Sequence, residues 1–205
     1  MTVATKAVAT LLFTLLFPLT MQAQVFPDAY IVTGVASDDV LNIRAEPDAS
    51  SDIVGELGPY TINIEVLGVS EDARWGQIST GEGNGWVAMR YLEASNHTAA
   101  GEFPRPMSCF GTEPFWALNM LPRGDAYQMM GEENRDLTPV TEVVAYQGYA
   151  AVFEEGPALT RTLMITRGWC SDWMSDREYG WQATLLNQTP EGNSLQYGCC
   201  TLDYR

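Results

Sequence analysis

The residues best equipped for chemistry are carboxylates in the second half of the chain. Asp172 and Asp176 lie in "GWCSDWMSDREYGW", residues 168–181, beside Cys170 and three tryptophans. Glu113 precedes a Pro-Phe-Trp run. Two carboxylates across a cleft can cleave a glycosidic bond, one as acid and the other as nucleophile or base. The oxygens of Ser171, Asp172, Ser175 and Asp176 could instead hold calcium, although no EF-hand spacing is present. A third use is local, because Asp and Ser accept backbone N–H groups in caps and Asx turns. That use weighs most. "SDWMSDRE" is expected to form one short helical turn capped by Ser171 or Asp172, with Asp176 and Arg177 as local electrostatics. Glu113 reads as a strand entry whose carboxylate is expected to be buried and paired. The tryptophan-rich stretch is expected to be scaffolding fastened by Cys170.

Other catalytic chemistries are poorly supplied. A Ser or Cys nucleophile needs a positioned base. The only histidine, His97, sits in a polar stretch, and the only lysine is Lys6. "GEGNG", residues 81–85, lies between two extended runs, so it reads as a turn and not as a phosphate cradle opening a helix. No cofactor, metal or catalytic residue is expected.

The four cysteines are Cys109, Cys170, Cys199 and Cys200. Their spacing lacks the paired C-x-x-C of a structural zinc site. On a strand, Cys199 and Cys200 point to opposite faces. Each then needs its own partner, and only Cys109 and Cys170 are left, in either assignment. Two bridges tying the last strand to earlier segments are therefore expected.

The elements that must position these residues are strands. "YIVTGV", "INIEVLGV", "WGQIST" and "GWVAM" in the first half are short, β-branched and aromatic. So are "FWALNML", "AYQMMG", "EVVAYQGYAAVF", "TRTLMITRG", "GWQATLLN" and "LQYGCCTL" in the second. No segment after the first 23 residues keeps a 3.6-residue period. Residues 94–106 are small, polar and Pro-containing, and read as a linker. The fold class is all-β, with one small domain over residues 29–93 and a disulfide-braced antiparallel barrel or sandwich over residues 107–205.

Residues 1–23 carry Lys6, then an apolar run from Ala7 to Met21, then a small residue at Ala23. That order is that of a secretory signal peptide, followed by a short segment, residues 24–28. The chain is expected to be exported, periplasmic or secreted, and not an integral membrane protein. Beyond residue 23 remain all 26 acids against ten arginines. Such acidity opposes nucleic-acid binding, which depends on Lys and Arg to release counterions.

In the first half, Leu41-Asn42-Ile43-Arg44, Pro47, Ser51, Gly55, Leu57, Trp75 with Ile78, Gly85-Trp86-Val87 and Tyr91-Leu92 follow in order. This set resembles the bacterial SH3 domain. The resemblance covers roughly residues 29–93. It implies a five- or six-stranded barrel that binds a peptide or a cell-wall or envelope component and is not normally catalytic. Trp75, Trp86 and Tyr91 are its candidate aromatic contacts, and Arg44 and Arg90 its candidate carboxylate contacts. Core or hairpin packing is the stronger expectation for the two tryptophans, and a structural role for Arg44.

In the second half, Cys109-x-Gly111-x-Glu113-Pro114-Phe115-Trp116, then Cys170-Ser171-Asp172-x-Met174-Ser175-Asp176 with Tyr179, then Gly198-Cys199-Cys200 resemble a poorly characterised family of bacterial envelope proteins and lipoproteins. Trp173 stands where that pattern has Gly. If the position requires a positive φ, Trp there is costly. The functional expectation is a non-enzymatic, exported binding protein. The alternatives are an envelope-polymer hydrolase using Glu113, Asp172 and Asp176, and a calcium-stabilised adhesion module.

Overall fold

The structure is a computed structural model and describes residues 25–95 and 101–204. The expected signal peptide, residues 1–23, and His97 lie outside the described residues. Among the described residues there is no α-helix; sixteen strands form two antiparallel sheets.

The first sheet contains β1 (Asp28–Val32), β2 (Leu41–Arg44), β3 (Ile53–Leu57), β4 (Ile64–Val69), β5 (Trp75–Ser79), β6 (Asn84–Ala88) and β7 (Leu92–Ala94). They pair in the order β3-β2-β6-β5-β4-β1-β7, with a single 3₁₀ turn at Met89–Tyr91 before β7. Alternating apolar residues put Tyr30, Ile43, Ile64, Val66, Ile78 and Val87 into one core.

The second sheet contains β8 (Met107–Thr112), β9 (Phe115–Leu121), β10 (Gly124–Met129), β11 (Arg135–Leu137), β12 (Pro139–Ala145), β13 (Gly148–Glu155), β14 (Leu159–Ser171), β15 (Glu178–Thr189) and β16 (Gly192–Thr201). Their order is β11-β10-β9-β8-β16-β15-β14-β13-β12, so this is one sheet and not a two-sheet sandwich. It coils until Arg135 of β11 reaches Glu155 of β13, at 3.1 Å. Trp116, Leu118, Met120, Phe153, Leu163 and Trp181 fill its inner side.

"EVVAYQGYAAVF" does not form one strand. Tyr146 and Gln147 form a tight hairpin turn, pairing Ala145 with Gly148, and β12 and β13 run back on each other. Gly148 is required at that turn, because a Cβ there would sit 2.3 Å from the Ile165 carbonyl oxygen. The helical turn expected over "SDWMSDRE" is also absent. Ser171 ends β14 and Glu178 starts β15, and the residues between form an irregular loop. Strand propensity on both sides, and Asp172 bonded to nearby N–H groups, hold the loop instead. Within the stretch expected as a linker, Ala94 belongs to β7, while Phe103 is buried in the second core.

The two bridges are Cys109–Cys200 and Cys170–Cys199. They lie on opposite faces of β16, as alternation requires. Cys109–Cys200 is in the core, and Cys170–Cys199 staples the end of β14 to β16 on the outer face.

The two sheets dock on each other through Glu65, which is fully buried. The Trp181 indole N–H and the Leu202 N–H donate to its Oε1, at 2.9 and 3.2 Å, and the Thr201 hydroxyl donates to Oε2 at 2.7 Å. Burial raises the Glu65 pKa to about 7 despite these three donors. Arg167 donates to the Pro27 carbonyl at 2.6 Å and lies over the Trp181 ring. Pro27 in turn packs where any side chain at position 180 would collide, 2.4 Å from its ring, so Gly180 permits the contact.

Candidate functional site

Three separated segments meet on the outer face of the second sheet. The end of β8 with the following turn brings Phe110, Thr112, Glu113 and Phe115. The end of β14 brings Trp169 to Met174. The middle of β15 and β16 brings Gln182, Thr184 and Tyr197. Together they line an open groove of about 980 Å³, with the Cys170–Cys199 bridge in its wall.

Close backbone approach makes the groove possible. A Cβ on Gly198 would stand 1.9 Å from the Phe110 carbonyl oxygen. One on Gly111 would stand 2.2 Å from the Trp116 indole nitrogen and 2.5 Å from the Tyr197 carbonyl oxygen. Only glycine lets β8, β16 and Trp116 come this near. Below the groove floor Trp116 is buried, at 3% exposure.

The loop that forms one wall is internally bonded. Asp172 Oδ1 accepts from the Met174 and Ser175 N–H groups at 3.0 and 3.1 Å, an Asx turn. The Tyr179 hydroxyl donates to Asp172 Oδ2 at 3.3 Å, and the Ser171 hydroxyl oxygen accepts from the Trp173 N–H. Thr112 donates to the Asp172 carbonyl and ties the loop to β8. Burial on its own would raise the Asp172 pKa, but the donors from Met174, Ser175 and Tyr179 hold it below the ordinary carboxylate range. Tyr179, packed edge-on against Phe110, is pushed up to about 12, chiefly by burial. At neutral pH one is a carboxylate and the other a neutral phenol.

The rings around this groove are left in solvent. Trp173 is 85% exposed, Tyr197 66%, Trp169 58% and Phe115 43%. Trp173 has φ +59°, a left-handed conformation. For a bulky L-residue that conformation costs about 1–2 kcal/mol relative to its right-handed counterpart. Stability would favour Gly here. The chain instead holds its largest side chain in a strained conformation and points it at water, which is the kind of outlier associated with function.

The sequence-derived residues are distributed as follows. Glu113 and Asp172 both line the groove. Glu113 is exposed, not buried and paired, because it lies in the tight turn between β8 and β9 and not inside a strand. Asp176 is exposed on the far part of the loop and does not line the groove. Within the tryptophan-rich stretch, expected as scaffolding, Trp181 is buried in the core, whereas Trp169 and Trp173 are exposed. Trp169 and Tyr197 line the groove and were not singled out by sequence reasoning. The signal was there in part, since each flanks a cysteine motif.

On the first sheet, Arg44 and Trp86 are register partners. The Arg44 guanidinium donates to the Ser51 carbonyl at 2.7 Å, so it braces the polar excursion between β2 and β3. Trp75 and Trp86 are half-buried on the outer face of the β5–β6 hairpin, not in the core. Arg90 lies over the Tyr91 ring, 4.7 Å from its centre, on the 3₁₀ turn. Arg44, Trp75, Trp86, Arg90 and Tyr91 are thus on one small barrel, but none of them lines the groove.

Residues 39–93 match the family of the bacterial SH3 domain, and this part of the chain is such a domain. No curated protein matches the chain. No solved structure matches it either. Among the described residues no group of His, Cys, Asp or Glu is arranged to hold a metal ion, and no helix is long and apolar enough to cross a membrane. The SH3 domain and the two disulfides are compatible with an extracytoplasmic protein.

Proposed function

We propose that this is an exported, non-catalytic binding protein of the bacterial envelope. Bacterial SH3 domains are general cell-wall and peptide-binding modules, and residues 39–93 supply one. In this reading the barrel attaches the molecule to a wall or peptide component, and the groove of the second sheet holds a partner. The observation that carries the reading is the groove itself. Three sequence segments converge there to expose four rings, while Asp172 spends its oxygens on its own loop. Exposed rings beside a self-bonded carboxylate support adhesion over turnover.

Co-sedimentation of the disulfide-bonded protein with purified sacculi tests attachment. The protein is expected in the pellet only when sacculi are present. Equal recovery without them rejects the wall-binding role.

A hydrolase is the second reading, and one observation favours it: Glu113 and Asp172 line the same groove. It predicts turnover of an envelope polymer that is abolished by Asp172→Asn or Glu113→Gln with the fold intact. The binding reading predicts no turnover by any of the three proteins.

A further inference from the structure

We propose that the groove takes an extended peptide segment bearing arginine or lysine side chains, which its rings and carboxylates hold as cations. The proposal rests on the reading of the groove as a binding site and names the ligand's chemistry.

Charge is the first ground. No Arg, Lys or His is among the residues lining the groove, whereas Glu113 and Asp172 are. The Asp172 carboxylate is kept ionised by its donors. Glu113 makes no hydrogen bond or ion pair among the described residues, so its charge faces solvent uncommitted. The whole chain carries a formal charge of −15, which concentrates cations at its surface. An anionic polymer would meet repulsion at every step.

The rings are the second ground. Elsewhere in the molecule arginine is repeatedly set over an aromatic face: Arg161 on Tyr127, Arg167 on Trp181, Arg177 on Tyr179. Among the described residues no guanidinium covers Phe115, Trp169, Trp173 or Tyr197. These faces are electron-rich, solvent-facing and lie beside carboxylates, the arrangement that attracts an external cation. A neutral sugar would also stack on them, but sugar recognition needs polar groups free to read hydroxyls. Here three of those groups are already engaged. Gln182 donates to the Trp169 carbonyl at 2.9 Å, Thr112 donates to the Asp172 carbonyl, and Ser171 accepts from Trp173.

Size is the third ground. About 980 Å³ is far more than one ammonium or guanidinium headgroup fills. It lies at the upper end of small-ligand sites and suits several residues of an extended chain. The strained, outward Trp173 then extends the wall that the disulfide staples.

Calorimetric titration of the disulfide-bonded protein in 0.15 M salt provides the test. The probes are a hexapeptide of alternating arginine and glycine, its glutamate–glycine counterpart, and a neutral N-acetylglucosamine tetramer. The arginine peptide is expected to bind and the other two are not. The Trp169→Ala/Trp173→Ala protein has unchanged charge, and its affinity for the arginine peptide is expected to fall by about tenfold or more. Tyr197→Ala, on β16 and not on that loop, is expected to weaken binding as well and guards against a misfold confined to the loop. Equal affinity in all three proteins would mean diffuse attraction to an acidic surface and overturns the proposal. So does binding of the sugar tetramer in place of the peptide, which would leave the groove a site for another ligand. Failure of every probe overturns the proposal too; if the protein still pellets with sacculi, the attachment role stands apart from it.

Discussion

Trp75 and Trp86 on the first sheet and Trp169 and Trp173 on the second are four of the six tryptophans, and they are held in contrasting ways. The first pair lies half-buried along a regular hairpin, one indole per register position, beside an arginine already satisfied by the Ser51 carbonyl. The second pair stands at an irregular loop end, largely in water, around a groove lined by no cationic side chain. A recognisable module therefore marks where the fold is standard, while the uncommitted surface is on the second sheet. The lesson is that aromatic content locates a site only together with exposure and unmet electrostatics.

The contrast can be strained hardest at the bridges. Cys109→Ala/Cys200→Ala releases a closure of 91 residues, and in the chain-entropy model costs about 4–5 kcal/mol of stability. Denaturant unfolding followed by near-ultraviolet dichroism should show the second sheet losing its transition first. Unchanged stability would mean the second core needs no covalent support.

Glu65 couples the two halves and gives the next effect. Its pKa is raised by burial, from an ordinary 4.5 in the unfolded chain to about 7 in the folded one. Between these values the folded state binds more protons than the unfolded state. The contribution is therefore complete below about pH 4.5, is lost as pH rises through about 7, and is flat above. The span is roughly 3 kcal/mol. Glu65→Gln keeps an acceptor for Trp181 and Leu202 and places an amide against the Thr201 hydroxyl. Subtracting its stability profile from that of the parent should expose this slope between pH 5 and 7. Parallel profiles would show that Glu65 does not titrate at the junction.

Smaller effects separate the two surfaces. Arg44→Ala removes a charged donor from the Ser51 carbonyl and should cost about 1–2 kcal/mol while leaving groove binding unchanged. Trp173→Gly relieves the left-handed strain and should raise stability by about 1 kcal/mol while weakening groove binding. A variant that gains stability and keeps its affinity would show Trp173 to be ornamental.

Much of the fold was legible in the sequence, because alternation speaks directly. "FWALNML", aromatic and apolar, is β9 from end to end; the vicinal cysteines announced two faces and two partners. The "EVVAYQGYAAVF" hairpin was not legible, since nothing stronger than Gln147-Gly148 interrupts its apolar run. Glu65 was hidden for a different reason. In "INIEVLGV" it occupies an ordinary polar position, and what buries it is a second sheet whose Trp181 and Thr201 lie 116 and 136 residues further on. Glu113 and Asp172 could be picked out by type, yet their burial could not. The turn that exposes one and the Asx bonds that occupy the other are products of the folded loop.

Indole N–H resonances offer the most direct measurement, because each of the six tryptophans reports separately. During titration with the arginine–glycine hexapeptide, the Trp169 and Trp173 signals should shift and saturate together, with Trp75, Trp86, Trp116 and Trp181 unmoved. Shifts confined to Trp75 and Trp86 would place the contact surface on the barrel and contradict the account.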